Sequence, residues 1–336
     1  MRFKKLKIFL DNLLKEYNGN VPGASVGIIF DNQLILVKNY GIANLKTNAK
    51  IFEKTNFRLG SVSKQFTATC ILQLIDKDLI NLDDTLTKYF PQFEFAKKVT
   101  IYHLLTHTSG LLDYEDLIRK NCKDPISDKE VFDLLSKQKK FKFKPGESWN
   151  YNNGAYCILK ELIEKISGLN YGNYLQEYIF DPLEMNRTVL SERNKTQIKN
   201  RAFGYSKVNE GFIETDNDMT SFTMGDGSIY SNVEDLSKWV IGRKNLISKK
   251  SFDLSQSPLI PTDKKDEFYG FGLNITQCVG KKAIYHGGSS IGFRSSIYLI
   301  PNKKVGVIFL SNLHKNDGSD FTRKIAEFIL KNETHP

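Results

Sequence analysis

Runs with strand-like composition stand at both ends of this chain, and helical patterns fill the region between them. Near the N-terminus, the apolar runs at 24–30 and 33–41 flank Asp31 and Asn32, residues typical of a tight hairpin turn. Short turns separate the strand-like runs near the C-terminus, so these runs are expected to pair as antiparallel neighbours. They lie at 269–276, 281–288, 295–301 and 305–312. This order favours one antiparallel sheet to which both ends of the chain contribute.

The middle of the chain, from 79 to 265, is typical of a mainly helical region with long loops. A capping box from Ser231 to Glu234 marks the start of one helix. Helices are predicted at 128–138, 154–168, 173–183 and 231–242, with a closing helix at 320–332.

We predict an α/β (α+β) fold, in which the N- and C-terminal segments form an antiparallel sheet flanked by helices. A large, mainly helical domain is inserted between them. The predicted sheet subdomain comprises 1–78 and 266–336, and the helical subdomain comprises 79–265, within a single unit spanning 1–336.

The N-terminus begins with basic residues and a short apolar run, but Asp11 interrupts this run too early for a signal peptide. The run is instead expected to form an amphipathic opening helix, because its apolar residues share one helical face. These residues are Phe3, Leu6, Leu10, Leu13 and Leu14. No apolar run is long enough to span a membrane, so no transmembrane segment is predicted.

Four cysteines occur, and none belongs to a Cys-x-x-Cys pair. They are Cys70, Cys122, Cys157 and Cys278. Cys70 and Cys157 lie among apolar residues and are expected to be buried free thiols. A set of free thiols favours a reducing compartment, and we therefore expect a cytoplasmic location.

Composition indicates a folded chain, since 40% hydrophobic and 12% aromatic residues can build a core. Lysine and arginine number 48 against 38 acidic residues, which gives a formal net charge of +10. The excess is mostly lysine and is widely spread, without the clustered arginines or the known motifs of nucleic-acid-binding proteins. We therefore expect a solvated basic surface and no nucleic-acid partner.

The stretch 58–68, RLGSVSKQFTA, places Ser61 and Lys64 where a helix is predicted to begin. Ser61 can be a plain helix cap beside a solvated lysine. It can also be a nucleophile, because a helix N-terminus offers free N–H groups and Lys64 lies within reach of its hydroxyl. Burial and nearby positive charge would lower the pKa of Lys64, as a neutral base requires. A second Ser-x-x-Lys, at Ser136 and Lys139, lies in a lysine-rich polar helix end and is interpreted as a solvated face.

A Tyr-x-Asn motif occurs three times, at 151–153, 171–173 and 230–232. The third copy is explained by the capping box, and the second lies between two helical segments. The first follows the sequence KPGESW, a turn that would hold it on a fixed loop. A lysine ammonium beside Tyr151 would lower the pKa of its phenol and let it carry protons, and Asn153 could orient a substrate amide.

The run His286-Gly287-Gly288-Ser289 ends a predicted strand. One interpretation is a strand that simply stops in a glycine turn. In the other, the two glycines let a substrate backbone approach the strand edge closely. The N–H groups of Ser289 and Ser61 could then hold a developing oxyanion.

His103 and His107 have the spacing of metal ligands on a helix. No glutamate or third ligand lies close in sequence, so a hydrogen-bonded structural role is favoured for His107. We predict no metal site and no cofactor.

Taken in order, these motifs resemble the serine β-lactamase and penicillin-binding-protein superfamily, in particular its class C β-lactamase-like branch. The supporting phrases are collinear and reach from the first strand to the last helix. They are FRLGSVSKQFTA (57–68), INLDDTLTKYFPQF (80–93), TIYHLLTHTSGL (100–111), KPGESWNYNNGAY (144–156), GDGSIYSNVEDLSKW (225–239), YGFGL (269–273), YHGGSSIGFRS (285–295) and IPNKKVGVIFLSN (300–312).

The resemblance implies roles for the first two motifs. Ser61 matches the acylated nucleophile, which would cap the helix and attack from it, and Lys64 matches its general base. Tyr151 matches the tyrosine that moves protons to the leaving group and to the deacylating water. Asn153 matches the orienting amide.

The resemblance also implies that His286, Gly287 and Gly288 form the strand triplet, which in β-lactamases begins with lysine. Ser61 and Ser289 would supply the oxyanion-hole N–H groups. A histidine is mostly neutral near pH 7, so it does not give a substrate carboxylate the fixed cation that lysine gives. A histidine at this position is familiar among family members that resemble esterases and D-peptidases more than true β-lactamases.

We therefore expect a metal-free serine hydrolase that acts through an acyl-enzyme on an ester or amide, as an esterase or peptidase with a small-molecule or peptide substrate. The alternatives are a penicillin-binding D,D-peptidase, a β-lactamase, or a non-catalytic binding or scaffold protein of the same fold. The scaffold is disfavoured because every motif position holds a chemically competent residue. The sequence leaves the oligomeric state open.

Overall fold

The first and last strands of the chain lie side by side in an eight-stranded antiparallel sheet. The computed structural model describes residues 2–118, 124–193, 195–315 and 317–332. The strands are β1 Ala24–Phe30, β2 Gln33–Tyr40, β3 Ile42–Asn44, β4 Ala49–Lys50, β5 Phe57–Arg58, β6 Val189–Leu190, β7 Tyr205–Val208, β8 Gly211–Glu214, β9 Ile229–Ser231, β10 Ile260–Pro261, β11 Phe268–Tyr269, β12 Asn274–Cys278, β13 Lys281–Ser290, β14 Phe293–Ile300 and β15 Val305–Ser311. The large sheet has the order β10-β11-β12-β13-β14-β15-β1-β2.

Helices cover this sheet and fill the middle of the chain. They are α1 Arg2–Leu13, α2 Lys64–Asp76, α3 Leu86–Tyr89, α4 Ile101–Leu105, α5 Tyr114–Leu117, α6 Asp128–Ser136, α7 Asn153–Ser167, α8 Tyr171–Leu175, α9 Val233–Gly242, α10 Lys249–Ser255 and α11 Gly318–Lys331. Short 3₁₀ turns lie at Lys15–Tyr17, Gly60–Ser63, Pro91–Ala96, Arg243–Asn245 and Pro301–Lys303, and a π-helical turn follows α8 at Gln176–Phe180. The predicted fold class, an antiparallel sheet from both termini with a large helical insert, is confirmed.

The N-terminal hairpin forms at the predicted turn. Asp31 and Asn32 both have positive φ angles, 48° and 60°. Two successive left-handed residues define the turn type whose twist matches that of paired strands. β1 then pairs on its other side with β15, from Ala24 opposite Ser311 to Phe30 opposite Val305.

Each face of the sheet packs against a different set of helices. Along β15, Val307 and Phe309 contact the core under α1 and α11, whereas Ile308 and Leu310 contact the core under α2 and α9. This alternation follows from the two-residue period of a strand. Because both of its faces are buried, β15 has no polar residue before Ser311. A strand with one exposed face would instead alternate apolar and polar residues.

The two covering layers are built on aromatic contacts. The rings of Phe66 in α2 and Trp239 in α9 stack with centroids 4.0 Å apart. On the opposite face, the rings of Phe309 and Phe321 stack at 5.0 Å. The predicted amphipathic helix is confirmed in α1, where Leu6 and Leu10 are buried in this second core. Helix α2 is thus held between the sheet and the helical region.

Two local predictions are wrong. The run at 269–276 is not one strand, because Gly270–Leu273 forms a turn between β11 and β12. Gly272 there has a φ of +68°, and a Cβ on it would lie 2.8 Å from the backbone oxygen of Lys64. The capping box from Ser231 to Glu234 is also absent. Asn232 caps α9 instead, accepting a hydrogen bond from the Asp235 N–H.

Small sheets that the sequence patterns did not predict lie between residues 57 and 231. β5, β9 and β6 form a three-stranded sheet, and β7 pairs with β8. Cys70 and Cys157 are buried, as predicted, and Cys278 is buried too, whereas Cys122 lies outside the described residues. Within the described ranges, no helix combines the length and the hydropathy needed to cross a bilayer.

Candidate active site

Ser61 lies on a tight turn rather than at the cap of a helix. The 3₁₀ turn Gly60–Ser63 connects β5 to α2, and it requires the left-handed φ of +52° at Gly60. Ser63 occupies the N-cap position of α2 and makes no side-chain cap bond. The capping role predicted for Ser61 is therefore wrong. Its hydroxyl instead lies 3.1 Å from Lys64 Nζ.

Lys64 is completely buried and satisfies its ammonium with three acceptors. Nζ lies 3.1 Å from Ser61 Oγ, 2.6 Å from Asn153 Oδ1 and 3.1 Å from the backbone oxygen of Asp226. An ammonium has three N–H donors, so each donor has one partner. This arrangement fixes the Lys64 side chain beside the Ser61 hydroxyl.

The expected lowering of the Lys64 pKa is wrong. Burial acts to lower it, but the negative charges that Tyr151 and Asp226 carry once ionised outweigh burial, so the pKa of Lys64 is raised. Burial likewise raises the pKa of Tyr151, against the opposing influence of Lys64 and Ser61. The resting pair is therefore an ammonium and a phenol, and its two groups titrate together. Local reasoning missed this because Asp226 is far away in sequence.

Among the three Tyr-x-Asn copies, the structure brings the first to Lys64. Lys64 Nζ lies 4.9 Å from the centre of the Tyr151 ring. The Tyr151 hydroxyl is buried, and its hydrogen-bonding neighbours are the side chains of Ser61 and Lys64. The Tyr171 hydroxyl, in contrast, is bonded to Thr67 Oγ1 at 2.7 Å. Tyr230 packs beside the guanidinium of Arg58.

Asn153 is held in one orientation by two carboxylates. Its backbone N–H donates to Asp113 Oδ2 at 2.7 Å, and its side-chain Nδ2 donates to Glu115 Oε1 at 2.7 Å. The side-chain oxygen is thereby directed to Lys64. Burial, reinforced by Asp113, raises the pKa of Glu115, although its side chain remains accessible from solvent. The sequence analysis missed both carboxylates. Asp113 could have been recognised, because aspartate is a typical N-cap residue and Asp113 caps α5.

The strand triplet lies on β13 where one edge becomes free. β12 pairs with β13 only as far as Tyr285, so among the described strands none covers the edge from His286 onward. The turn that carries Ser61 packs directly against this part of β13. A Cβ on Gly288 would lie 1.9 Å from the Leu59 backbone oxygen, and a Cβ on Gly60 would lie 3.2 Å from the Ser289 backbone. The close approach of the two backbones requires glycine at both positions.

The Ser289 N–H is directed to the same free edge. Ser290 and Phe293 flank a two-residue turn, so they form the hydrogen-bonded pair that closes the β13–β14 hairpin. The next pair, Ser289 and Arg294, is then of the non-hydrogen-bonded kind. The Ser289 N–H consequently points away from β14, on the side where the Ser61 turn lies.

His286 is a buried, neutral group. Its Nδ1 lies 2.7 Å from the Gly287 backbone oxygen, which only accepts, so Nδ1 carries the proton. Nε2 then accepts from the Tyr269 hydroxyl at 3.1 Å. Burial and the charge of Lys64 lower the pKa of His286 to about 3. The position that holds a lysine in β-lactamases thus provides no cation here, as the sequence predicted.

The other two histidines have local partners. His103 Nδ1 accepts from the Thr100 N–H at 3.2 Å, and His107 Nδ1 accepts from the Asn152 N–H at 3.1 Å. The His107 ring packs against Tyr151, with centroids 4.4 Å apart. His107 therefore positions the loop that holds Tyr151. Over the described residues, no three His, Cys, Asp or Glu side chains are grouped to hold a metal ion.

Comparison with known proteins finds relatives that match nearly the whole chain. The penicillin-binding protein 4* of Bacillus subtilis (strain 168) is 29% identical, with 94% of this chain and 72% of that protein covered. The D-aminopeptidase of Brucella anthropi is 29% identical over 97% of this chain, which spans only 62% of that longer protein. The octameric penicillin-binding protein homologue from Pyrococcus abyssi superposes with a TM-score of 0.87 at 29% identity, covering 98% of this chain and 78% of that one.

The family assignment rests on nearly the whole chain. A scan against protein families matches the Beta-lactamase family over residues 10–330. The relatives named above belong to the same superfamily of serine hydrolases, as the collinear motifs predicted. The chain therefore belongs to the beta-lactamase family.

Proposed function

We propose that this chain hydrolyses an ester or amide through an acyl-enzyme on Ser61, with Lys64 and Tyr151 as its proton-transfer pair. The observation that carries the proposal is the 3.1 Å contact between Lys64 Nζ and Ser61 Oγ, on a turn packed against the free edge of β13. A nucleophile next to a buried base, with that base oriented by a third group, is the usual arrangement for covalent catalysis. Asn153 is the third group.

The proton route follows from the resting protonation states. Because Lys64 rests as an ammonium and Tyr151 as a phenol, the pair must lose one proton to solvent before it can accept one. The activated pair takes the Ser61 proton as Oγ attacks the substrate carbonyl. The N–H groups of Ser61 and Ser289 stabilise the resulting oxyanion.

Collapse of the tetrahedral intermediate breaks the bond to the leaving group and forms the acyl-enzyme. Tyr151 gives the leaving group the proton taken from Ser61, since its hydroxyl lies next to the side chains of Ser61 and Lys64. Water then attacks the acyl carbonyl, and the same pair accepts a proton from that water and returns one to Ser61 Oγ. Atoms and charge balance over the cycle, because one water is consumed and one acid is released.

The charges around the site favour an acyl group with a free amine over one with a carboxylate. His286 is neutral and offers no cation, whereas the accessible carboxylate of Glu115 lies 2.7 Å from Asn153 Nδ2, and Asn153 in turn contacts Lys64 next to Ser61. The Brucella relative is named a D-aminopeptidase, which is consistent with this preference. We propose an aminopeptidase-like or esterase-like activity, rather than efficient β-lactam hydrolysis. We also propose a reducing, cytoplasmic setting, in line with three buried free thiols.

The test measures hydrolysis of D-alanine p-nitroanilide, N-acetyl-D-alanine p-nitroanilide and p-nitrophenyl acetate, with nitrocefin in parallel. Wild type is expected to prefer the free amine to the acetylated anilide, and Ser61→Ala is expected to lose all turnover. Ser136→Ala is the matched control, because Ser136 belongs to the other Ser-x-x-Lys and bonds only within its helix end.

Equal activity of wild type and Ser61→Ala would overturn the nucleophile assignment. If wild type turns over nothing, its intact mass after exposure to penicillin distinguishes the alternatives. An adduct on wild type alone would show a slowly deacylating penicillin binder, as the name of the Bacillus relative suggests. No adduct would favour the non-catalytic scaffold.

A further inference from the structure

Arg58 is a buried cation three residues before the nucleophile, and the proposed chemistry does not use it. Only 1% of its surface is exposed. Its guanidinium lies over the rings of Tyr230 and Phe293, at 5.3 and 5.5 Å from their centres. No carboxylate of the described residues forms an ion pair with it, so neutral acceptors bond its terminal N–H groups, while its Nε has no hydrogen-bond partner among the described residues. Burying an arginine in a core without an ion partner costs folding free energy, and this cost points to a role for its position.

The acceptors of Arg58 lie on the loop 216–221, which follows β8. Nη1 donates to the Asp216 backbone oxygen at 2.7 Å and to Ser221 Oγ at 3.2 Å. Nη2 donates to Asn217 Oδ1 at 2.7 Å. A planar guanidinium that bonds both ends of a loop fixes its shape better than a single contact can.

This loop continues into the active site. Five residues after Ser221, the Asp226 backbone oxygen accepts from Lys64 Nζ at 3.1 Å. A Cβ on Gly227 would lie 3.9 Å from Gly60, so the loop also borders the nucleophile turn. Arg58 therefore holds the start of the segment whose later residue, Asp226, contacts Lys64.

Arg58 also reaches the strand that faces Ser61. Its Nη1 lies 3.5 Å from Ser290 Oγ, a long contact at the end of β13. Ser290 follows Ser289, whose N–H is directed to the oxyanion position. Arg58 thus touches the loop 216–221 and β13, while its own backbone leads directly into the Ser61 turn.

We infer that Arg58 is a positioning residue that sets the nucleophile turn, the loop 216–221 and the oxyanion edge of β13 relative to one another. The inference rests on the proposed function, because it concerns the geometry of that acyl-transfer site. Lysine at this position keeps the charge but lacks the planar fork whose two nitrogens bond Asp216 and Asn217 separately. The oxyanion N–H of Ser289 would then be less well placed relative to Ser61.

Arg201 is a matched comparison. Like Arg58, it contacts Asp216 and Tyr230, in its case through an ion pair with the carboxylate and a 3.1 Å bond to the phenol oxygen. Unlike Arg58, it makes no hydrogen bond to β13 among the described residues and does not lead into the Ser61 turn. Loss of loop order alone should affect both variants, whereas loss of oxyanion geometry should affect Arg58 alone.

The experiment compares Arg58→Lys and Arg201→Lys with wild type, using p-nitrophenyl acetate. For each protein we would measure kcat, KM, the rate of the acylation burst and the Tm. Arg58→Lys is expected to lower kcat and the acylation rate about 100-fold, as small misplacements of reacting groups do. Its KM should change far less, and Arg201→Lys should retain nearly full kcat.

Equal losses of kcat in the two variants, or an effect on KM alone, would overturn the inference. If Arg58→Lys does not fold, Ser290→Ala and Asn217→Ala decide. A lower kcat with an unchanged Tm supports positioning, and an unchanged kcat in both contradicts it. If wild type is active and Arg58→Lys has the same kcat, this inference is refuted and the proposed function is not. Wild type that never acylates would refute the proposed function.

Discussion

The side-chain oxygen of Asn153 lies 2.6 Å from Lys64 Nζ, the shortest of the three contacts of that ammonium. The charge at position 153 should therefore control how readily Lys64 loses its proton. Because the pKa of Lys64 is raised, its neutral form is scarce at pH 7, and kcat/KM for an uncharged ester should rise through the alkaline range. Asn153→Asp would raise this pKa further and cut kcat/KM at pH 8 about tenfold per pKa unit.

The measurement is a pH profile of kcat/KM for both proteins. Asn150→Asp, which changes an exposed amide near the same loop, is the control. A wild-type profile that stays flat from pH 7 to pH 10 would contradict the assigned protonation state.

Glu115→Gln should weaken binding of substrates with a free amine and leave neutral esters unaffected. An accessible charge pair is worth about 1 kcal/mol, so KM for D-alanine p-nitroanilide should rise about fivefold. Asp116→Asn is the matched control, since Asp116 is the next residue and pairs with Lys142 instead. Steady-state kinetics with the free and the N-acetylated anilide test this. The assigned amine site is wrong if both substrates respond equally.

His286→Lys should restore recognition of substrate carboxylates. His286 is neutral in its burial site, and lysine would bring an ammonium to the free edge of β13. A charge-assisted hydrogen bond contributes at least about 1.5 kcal/mol, which predicts roughly tenfold faster acylation by penicillin. Intact-mass time courses measure the rate, with His286→Asn as the neutral control. Equal rates in the two variants would refute a charge effect.

Asp226 should make stability depend on pH. Burial raises the pKa of its carboxyl from 3.8 to about 7. Between these values the folded protein holds a proton that the unfolded chain releases, so the free energy of unfolding falls as pH rises and levels off above about 7. The slope can reach about 1.4 kcal/mol per pH unit. Asp226→Asn lacks this proton, so its Tm minus the Tm of wild type should increase between pH 4 and pH 8. Parallel Tm curves would contradict the prediction.

Gly288→Ala should damage the site more than Gly287→Ala. The new Cβ at 288 would lie 1.9 Å from the Leu59 backbone oxygen, which can move only with the nucleophile turn. The Cβ at 287 would meet Ser319 Oγ at 2.4 Å, a side chain that can rotate away. We expect a loss of kcat of about 100-fold for the first and a much smaller loss for the second. Ester hydrolysis and Tm measure both effects, and the reverse order would refute the close approach.

Sequence reasoning predicted those contacts of the candidate site that are local or marked by a motif. Ser61 and Lys64 are three residues apart, and their contact follows from that spacing. The choice of Tyr151 among three copies depended on the turn before it, and the structure places that copy beside Lys64. The hairpin at Asp31 and Asn32 was equally predictable, because those two residues tolerate left-handed φ angles.

Other features depend on residues that meet only in the folded chain. Glu115 bonds Asn153 across 38 positions, and Asp226 reaches Lys64 across 162. The raised pKa of Lys64 follows from such contacts, so an argument from burial alone gave the wrong direction. The strand at 269–276 is broken for a related reason, since Gly272 packs against the Lys64 backbone.

The pairing of β1 with β15 has a consequence for how the chain is made. Gly23 and Asn312, at the end of that pairing, are joined by a hydrogen bond across 289 positions. A ribosome needs about 15 to 60 seconds to synthesise that span at cellular elongation rates. During this time the N-terminal hairpin exists as a nascent segment without its neighbour, and its apolar edge is open to chaperones or to aggregation. The large sheet can be completed only after β15 has been synthesised.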